Sequence, residues 1–405
     1  MRILFLSRWF PFPPDNGSKL RIFNVLRQLS RAHEVALLTF GGAADVANSG
    51  ALLALREHCS HVRVLPYRDF RPASLRALLG LFSRRPRYLL DTYSEHMADV
   101  AADEARRRRC DVVVASELAM APYALHLPGV AALLEDLELS VFRDAVGQWS
   151  VLPHRVRPAL TWLKLSAYLR RILPRFAACT VVSEQERANL RAVCPAYASV
   201  EVIPNAVDLS SLDGSFGPPR PNTLVFTGSP TYSANYDAVA YLLREVWPLI
   251  ARTVPDVTLR VTGNTEGVDL ASLPRRPRVH FTGHVGDVRP IVAESWVSVV
   301  PLRLGAGTRV KVLESMALGT PVVSTSKGAE GLEVKDGESI LIADRPAEFA
   351  ERVVDLLRSP ELRARLATAG RRLVESKHDW DVVGQELRAL VERVGACQLA
   401  RRGAS

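Results

Sequence analysis

Arg309, Lys311 and Glu314 fall within little more than one helical turn of each other, in the stretch PLRLGAGTRVKVLESMALGTPVVSTSKGAEG at 301–331. Two cations beside a helix start suit a diphosphate. Arginine forks onto phosphate oxygens and lysine supplies a point charge. Free backbone N–H groups and the positive end of the helix dipole favour the same anion. A carboxylate one turn further on repels phosphate but accepts hydrogen bonds from the vicinal hydroxyls of a ribose. An anion site and a hydroxyl acceptor this close together point to a nucleoside diphosphate. A solvated basic helix start with Glu314 exposed is the plainer alternative, and the glycine-rich turns on either side favour the functional one.

Those residues need a strand, a turn and a helix to hold them. Positions 297–300 read as a strand, and Gly305, Ala306, Gly307 and Thr308 as a tight turn. Positions 309–318 read as a short helix closed by Gly319. A second strand at 321–324 feeds a loop at 327–331 that carries Glu330 and Gly331. Two successive strand–loop–helix units thus aim their loops at one sheet edge, where open α/β sheets bind ligands.

The chain begins in the same idiom. A strand at 3–7 runs into the loop residues PFPPDNGSKL, and a helix at 18–32 places Leu20, Phe23, Leu26 and Leu29 at helical spacing. A strand at 35–40 follows. No G-x-G-x-x-G is present, so this is not a dinucleotide fingerprint. Gly17 serves either a plain turn or a close backbone approach to a ligand. Further strands are expected at 62–65, 111–115, 130–134, 178–182, 200–203, 224–227, 257–262 and 279–282, with amphipathic helices such as 47–57 and 88–108 between them. Glu135 and Asp136, after one of these strands, fit an acceptor-hydroxyl site or an ordinary helix N-terminus. Gly228-Ser229-Pro230 and Asn235-Tyr236-Asp237 read as loop before a helix to about 250. Helices at 346–376, broken at Pro360, and 379–397 finish the chain, with the tail ARRGAS expected to be disordered.

Residues 301–331 resemble the donor-site signature of retaining glycosyltransferases of family 4, which have the GT-B fold. The tract KVLESMALGTPVVST is similar to their E-A-M-A-x-G-x-P-V-V segment, and GAEGL follows as in one bacterial branch. The resemblance makes Glu314 the ribose-binding glutamate. The glutamate that precedes it in the family, which touches the transferred sugar, is replaced by Ala306, a departure shared by the branch with G-x-G-T-R-x-K-x-L-E. The same resemblance places Gly17 against the donor phosphates, Asn205 (in PNAVD, similar to P-N-G-V-D) in the cleft, and His284 and Val285 at the nucleobase. Trp380 marks the point where a final helix crosses back. Family members carry an Arg and a Lys after the glycine at 228; this chain has Ser229 and no such Lys, and Arg309 and Lys311 can supply the charge. Gly228, Gly307, Thr308, Glu330 and Gly331 complete the donor-binding set that the resemblance implies.

The resemblance implies two facing Rossmann-like domains with a deep cleft between them. Residues 1–206 and the returning helix 379–397 form the acceptor side, and 207–378 hold the donor. The implied enzyme is a retaining hexosyltransferase-type glycosyltransferase. It moves sugar from a nucleoside diphosphate sugar to a hydroxyl of a carbohydrate or lipid-linked acceptor, in bacterial polysaccharide or glycolipid assembly. Arg309, Lys311 and Gly17 stabilise the leaving diphosphate. A sugar-nucleotide 2-epimerase-type isomerase and a non-catalytic nucleotide-sugar-binding protein are the alternatives. No D-x-D motif or metal-ligand spacing is visible, so no cofactor is expected and the reaction is read as metal-independent.

At 405 residues the chain suits two domains, each with its own core. Cys59, Cys110, Cys179, Cys194 and Cys397 show no metal or disulfide pattern and suggest reduced thiols in a cytoplasmic protein. The opening MRILFLSRWF is too short for a signal peptide and reads as a buried strand. The net charge of +9 is uneven: residues 1–206 hold 27 Lys/Arg against 19 Asp/Glu. Segments 68–90 and 154–176 mix Arg and Lys with Leu, Phe and Trp at helical spacing. Packing of their apolar faces on the core is the plain reading, and peripheral contact with the anionic inner face of a membrane is the other. The basic run Arg106–Arg109 ends a helix without interleaved aromatics, which argues against nucleic acid. The identities of the sugar, the base and the acceptor are not encoded in these motifs.

Overall fold

The computed structural model describes residues 1–147, 152–212, 214, 216–305 and 309–403. They divide into two compact units, Met1–Pro204 with Val383–Ser405, and Asn205–Val382.

The first unit is built on seven parallel strands: β1 (Arg2–Ser7), β2 (Glu34–Gly41), β3 (His61–Pro66), β4 (Val112–Ser116), β5 (Ala131–Glu135), β6 (Ala178–Val181) and β7 (Val200–Val202), in the order β3-β2-β1-β4-β5-β6-β7. The inner strands are near-continuous apolar runs, and all five residues of β4 are buried. Such a pattern fits a parallel sheet covered by helices on both faces. Ile3 pairs with Val35 on one side and Val112 on the other, so the strand order reverses between β1 and β4.

The second unit repeats the design with β8 (Arg220–Thr227), β9 (Thr258–Thr262), β10 (Val279–Gly283), β11 (Ser295–Val300), β12 (Val322–Ser324) and β13 (Leu341–Ile342), ordered β10-β9-β8-β11-β12-β13 and again parallel. Here the order reverses between β8 and β11. Val297, Val299, Val322 and Val323 are buried together with Phe349 and Val353 of the helix Pro346–Arg358, in a core separate from that of the first unit. Both sheets bear out the expected α/β class.

Several elements differ from expectation. The helix expected over 88–108 is two, Arg87–Asp91 and Glu95–Arg107, because the Ser94 side chain accepts from Met97 N–H and starts a new helix. Asn235, Tyr236 and Asp237 are not loop; they lie inside the helix Ser233–Tyr241. The last helix, Trp380–Gly403, runs past 397, since Ala, Gln, Leu and Arg are good helix formers.

That helix is held at its start by Val207, whose N–H donates to the His378 carbonyl at 2.9 Å and whose carbonyl accepts from Trp380 N–H at 3.0 Å. Trp380 is fully buried. Within the first unit the helix lies close on the sheet and on the first helix, Gly17–Ser30. A Cβ at Gly384 would sit 2.3 Å from Gln28 Oε1, and one at Gly395 would sit 2.3 Å from Met1 Sδ. Arg388 donates to Gln28 Oε1 at 2.6 Å.

Candidate functional site

In the second unit the chemistry gathers where the strand order reverses, at the carboxyl ends of β8 and β11, the place where doubly wound sheets open a crevice. Lys311 comes from the helix Val310–Ala317 that follows β11. Its Nζ donates to Asn235 Oδ1 at 2.9 Å and lies 4.6 Å from the centre of the Phe226 ring, on β8. Asn235 is held in turn by donating to the Ser229 carbonyl at 3.0 Å. Gly228 makes the room: its φ is +137°, and a Cβ there would fall 2.5 Å from Lys311 Nζ and 2.9 Å from Asn235 Nδ2. Burial, with Arg309 nearby, pushes the Lys311 amine down to about 7, and Glu314 opposes the shift.

Glu314 sits one turn beyond Lys311, half-buried, and accepts no hydrogen bond from a described side chain. Burial pushes its carboxyl up and Lys311 pulls it down. Among the described residues no side chain caps the start of this helix, and its first amides suit an anion. Gly319, at φ +74°, ends it: its N–H donates to the Met316 carbonyl and Thr320 N–H to that of Ser315.

Arg309 is placed differently from Lys311. Its guanidinium is buried and donates through Nη2 to the Gly305 carbonyl at 2.8 Å and through Nε to the Lys327 carbonyl at 3.4 Å. It ties the loop after β11 to the loop after β12. Gly305, with φ +96°, leans on Tyr232 and Ala234 from the β8 loop. The geometry therefore gives Arg309 a loop-bracing part beside the diphosphate contact expected of it. Glu330 pairs with Lys327 in the turn ended by Gly331, whose φ is +80°. Gly307 and Thr308 lie outside the described residues.

The remaining donor-side candidates of this unit lie outside the β8 and β11 loops. His284 is exposed and Val285 half-buried after β10, two strands from β8. Asn205 gives its carbonyl to His378 Nδ1 at 3.0 Å.

In the first unit the corresponding reversal lies between β1 and β4. Gly17 opens the first helix, where Asn16 caps Lys19 N–H, and a Cβ at Gly17 would meet nothing within 4 Å. Glu135 is fully buried: Arg21 reaches its Oε1 through Nε at 2.8 Å and Nη2 at 2.7 Å, and Ser116 donates to Oε2 at 3.2 Å. Burial pushes its carboxyl up and Arg21 opposes this. With both oxygens engaged inside the unit, Glu135 is a structural ion-pair partner and does not face an acceptor hydroxyl. Asp136 is also largely buried, with Oδ1 3.5 Å from Arg21 Nε and a φ of +61°.

The residue that sequence reasoning missed is Glu117. It follows β4 at φ +66°, a conformation that is costly outside glycine. Its Oε1 accepts from Trp9 Nε1 at 3.0 Å, which spans the β1–β4 reversal. Arg8 lies 4.8 Å from the Trp9 ring and 5.2 Å from that of Tyr67. Burial and then Asp136 push the Glu117 carboxyl up to about 7, against the pull of Arg8 and the Trp9 hydrogen bond. A single glutamate after a run of valines carries no motif; only the strand order reveals its position. Among the described residues no group of three or more His, Cys, Asp or Glu is arranged to hold a metal ion.

Residues 16–211 match the family model Glycosyltransferase Family 4, and residues 221–359 match the model Glycosyl transferases group 1. The phosphatidyl-myo-inositol mannosyltransferase of Mycobacterium tuberculosis is 30% identical over 208 residues, covering 47% of this chain and 53% of that protein. The chain spans about half the length of the curated relatives it matches. HepE of Anabaena, in complex with UDP, superposes with a TM-score of 0.66 at 13% identity over 97% of this chain and 100% of that one. The sucrose-phosphate synthase of Thermosynechococcus elongatus gives a TM-score of 0.66 at 17% identity, over 98% and 100%. These likenesses show the GT-B fold.

Proposed function

The chain belongs to glycosyltransferase family 4, and from that premise we propose that it transfers a glycosyl group from a nucleoside diphosphate sugar to a hydroxyl acceptor, with retention of anomeric configuration. One observation carries this reading: a part-buried lysine, a glycine whose missing side chain makes room for it, and the start of a helix meet at the β8–β11 reversal, with a carboxylate one turn away. Lys311 and the first helix amides hold the diphosphate. Gly228 lets the ligand and the lysine share a small space. Glu314 accepts from the ribose hydroxyls.

The same groups serve the reaction. As the glycosidic bond breaks, negative charge collects on the leaving diphosphate, and a preorganised cation and amides stabilise it more than they stabilise the bound donor. The leaving oxygen, on the face the acceptor approaches, takes the acceptor's proton, so the new bond forms on the face the old one left. No step in this scheme needs a metal ion.

HepE was observed with UDP, which makes UDP the first nucleotide to test. The mannosyltransferase relative is named for a phosphatidyl-inositol, which supports a lipid-carried hydroxyl as acceptor. The test is incubation with radiolabelled UDP-, GDP- and ADP-sugars and bacterial lipid extract, with and without EDTA. Label in a lipid product of unchanged anomeric configuration, in both arms, is the expected result. Free epimerised sugar nucleotide, or donor binding without turnover, would replace the reading by one of the alternatives. Loss of transfer in EDTA would remove the metal-independent scheme.

A further inference from the structure

The helix that carries Asn235 is not one its own residues would settle. Ser233–Tyr241 opens on Ser, Ala and Asn and holds Asp237 in its second turn, and Ser, Asn and Asp favour turns over helix interiors. Among the described residues no side chain caps its start, and the turn that follows, Leu242–Val246, is π-helical. Yet Asn235 holds the Lys311 amine only if this helix keeps its place. Something outside the helix sets that place.

Arg303, the third residue after β11, reaches across to it. Its Nη2 donates to Asp237 Oδ1 at 2.7 Å and its Nε to Oδ2 at 3.1 Å, two parallel bonds that fix direction as well as distance. The guanidinium also lies 4.5 Å from the centre of the Tyr241 ring, one turn along the same helix face. Its Nη1 comes within 3.8 Å of Glu245. Buried Tyr241 donates in turn to the Asp344 carbonyl at 3.2 Å. The Asp344 carboxylate accepts from Ser326 N–H at 2.8 Å and from the Ser326 hydroxyl at 2.7 Å. The helix after β8 is thus tied at once to the loops after β11, β12 and β13.

Residues two apart on a helix point about 200° away from each other. The clamp at Asp237 and the lysine contact at Asn235 therefore grip opposite sides of one turn, and both gripping side chains follow β11. Held on one side alone, the helix is free to roll about its axis. The fork that would meet a phosphate is already closed on Asp237, so Arg303 is not placed as a ligand contact. Nor does folding explain the pair, since both side chains are part-exposed and such ion pairs contribute little. We propose that Arg303 is a positioning residue: through Asp237 and Tyr241 it fixes the helix that carries Asn235, and through Asn235 it sets the Lys311 amine in the donor site. The inference rests on the proposed function only in assigning the diphosphate to Lys311.

The test removes both charges of the clamp together, as Asp237→Asn with Arg303→Gln, so that the net charge near Lys311 does not change. The chain holds six lysines, so selective 15N-lysine labelling resolves the Lys311 ammonium, assigned by its loss in Lys311→Met. In the clamp variant the Lys311 titration midpoint falls by roughly half to one pH unit, because its charged form loses a well-placed carbonyl acceptor. UDP affinity by calorimetry falls about tenfold. In a Lys311→Met background the same two substitutions change UDP affinity by less than about twofold, since the clamp acts through the lysine. The melting temperature stays close to the wild-type value and reports an intact fold. An unmoved lysine midpoint overturns the proposal, whether or not affinity falls, and so does an equal loss of affinity in both backgrounds. A wild type that binds no UDP, GDP or ADP removes the proposed function instead, and the lysine titration then decides the clamp by itself.

Discussion

At the β8–β11 reversal a lysine is held over an aromatic ring by a neutral amide, with a carboxylate one turn away. At the β1–β4 reversal a glutamate is held by an indole, with Glu135 and Asp136 adding negative charge and Arg8 opposing it. The two sheets share a winding order and differ in the sign of the charge they place at its turning point. Burial moves both groups toward neutrality, Lys311 down and Glu117 up, each to about 7. The doubly wound frame thus supplies a position, and the residue at that position supplies the chemistry. A cation there suits a departing diphosphate; a carboxylate there suits a hydroxyl that must be oriented by accepting its hydrogen bond.

A further difference lies one layer deeper. Glu135 and Asp136 are anchored by Arg21, whereas Lys311 has a neutral anchor. Arg21→Met leaves Glu135 charged and buried without its guanidinium, and the expected loss is about 3–5 kcal/mol of stability, read as a fall in the urea midpoint. Lys311→Met should move the same midpoint by only about 1 kcal/mol, because Asn235 loses one hydrogen bond and no counter-charge. Equal losses in the two variants would erase the distinction between a structural and a functional charge.

Lys311→Met has its large effect on ligand. Removing a desolvated charge from a phosphate contact costs about 2–5 kcal/mol, so UDP affinity measured by calorimetry should fall on the order of 100-fold. Arg309→Ala should weaken UDP as well, and should also loosen the 305 and 327 loops, seen as faster hydrogen exchange there. An Arg309→Ala variant that loses affinity with unchanged exchange would move that residue back to a purely phosphate-binding part.

Glu117→Gln comes next in size. It keeps the Trp9 hydrogen bond and removes the negative charge, and kcat for transfer should drop about tenfold to 100-fold with little change in the KM for donor. Glu117 is protonated below its raised pKa, so wild-type kcat should rise with pH through about 7. Arg8, Asp136 and Glu135 share that environment, and the rise should disappear in Glu117→Gln. A pH profile left in place would transfer the role to a neighbour.

The rim at the β8–β11 reversal was legible because its residues are close in sequence. A strand, small residues, two cations, a glutamate and Gly319 occupy one short run, and the helix end at Gly319 follows from glycine's tolerance of positive φ. What was not legible depends on strand order. Asn235 reads as loop, yet it lies inside a helix and meets Lys311 76 positions away, once β8 and β11 are neighbours. Trp9 and Glu117, 108 apart, meet only because β1 pairs with β4. Glu135 fitted either an acceptor site or a helix start because only its position after a strand is visible in sequence, while the arginine that occupies it comes from a helix more than a hundred residues earlier. The exposed leucines at 75–82 have helical spacing, and spacing alone does not say whether an apolar face is covered.

The finest separation of the two rims is by proton linkage at Lys311. In the free protein its amine has a pKa of about 7, so above that pH it is neutral. A bound diphosphate favours the ammonium form and raises the pKa. Binding is therefore at full strength below about 7, where the charge is already present, and weakens as pH rises through 7 toward the raised value, by at most about tenfold per pH unit. The terminal phosphate of UDP, with its second ionisation near pH 6, is already charged over this range and does not mask the trend. Calorimetry at pH 8 in phosphate and in Tris should show uptake approaching one proton for the wild type. Lys311→Arg, charged throughout, should bind with a flat profile and no uptake, whereas Glu117→Gln should retain the wild-type uptake because its charge belongs to the other rim. Uptake that survives in Lys311→Arg and vanishes in Glu117→Gln would reverse the assignment of the two groups.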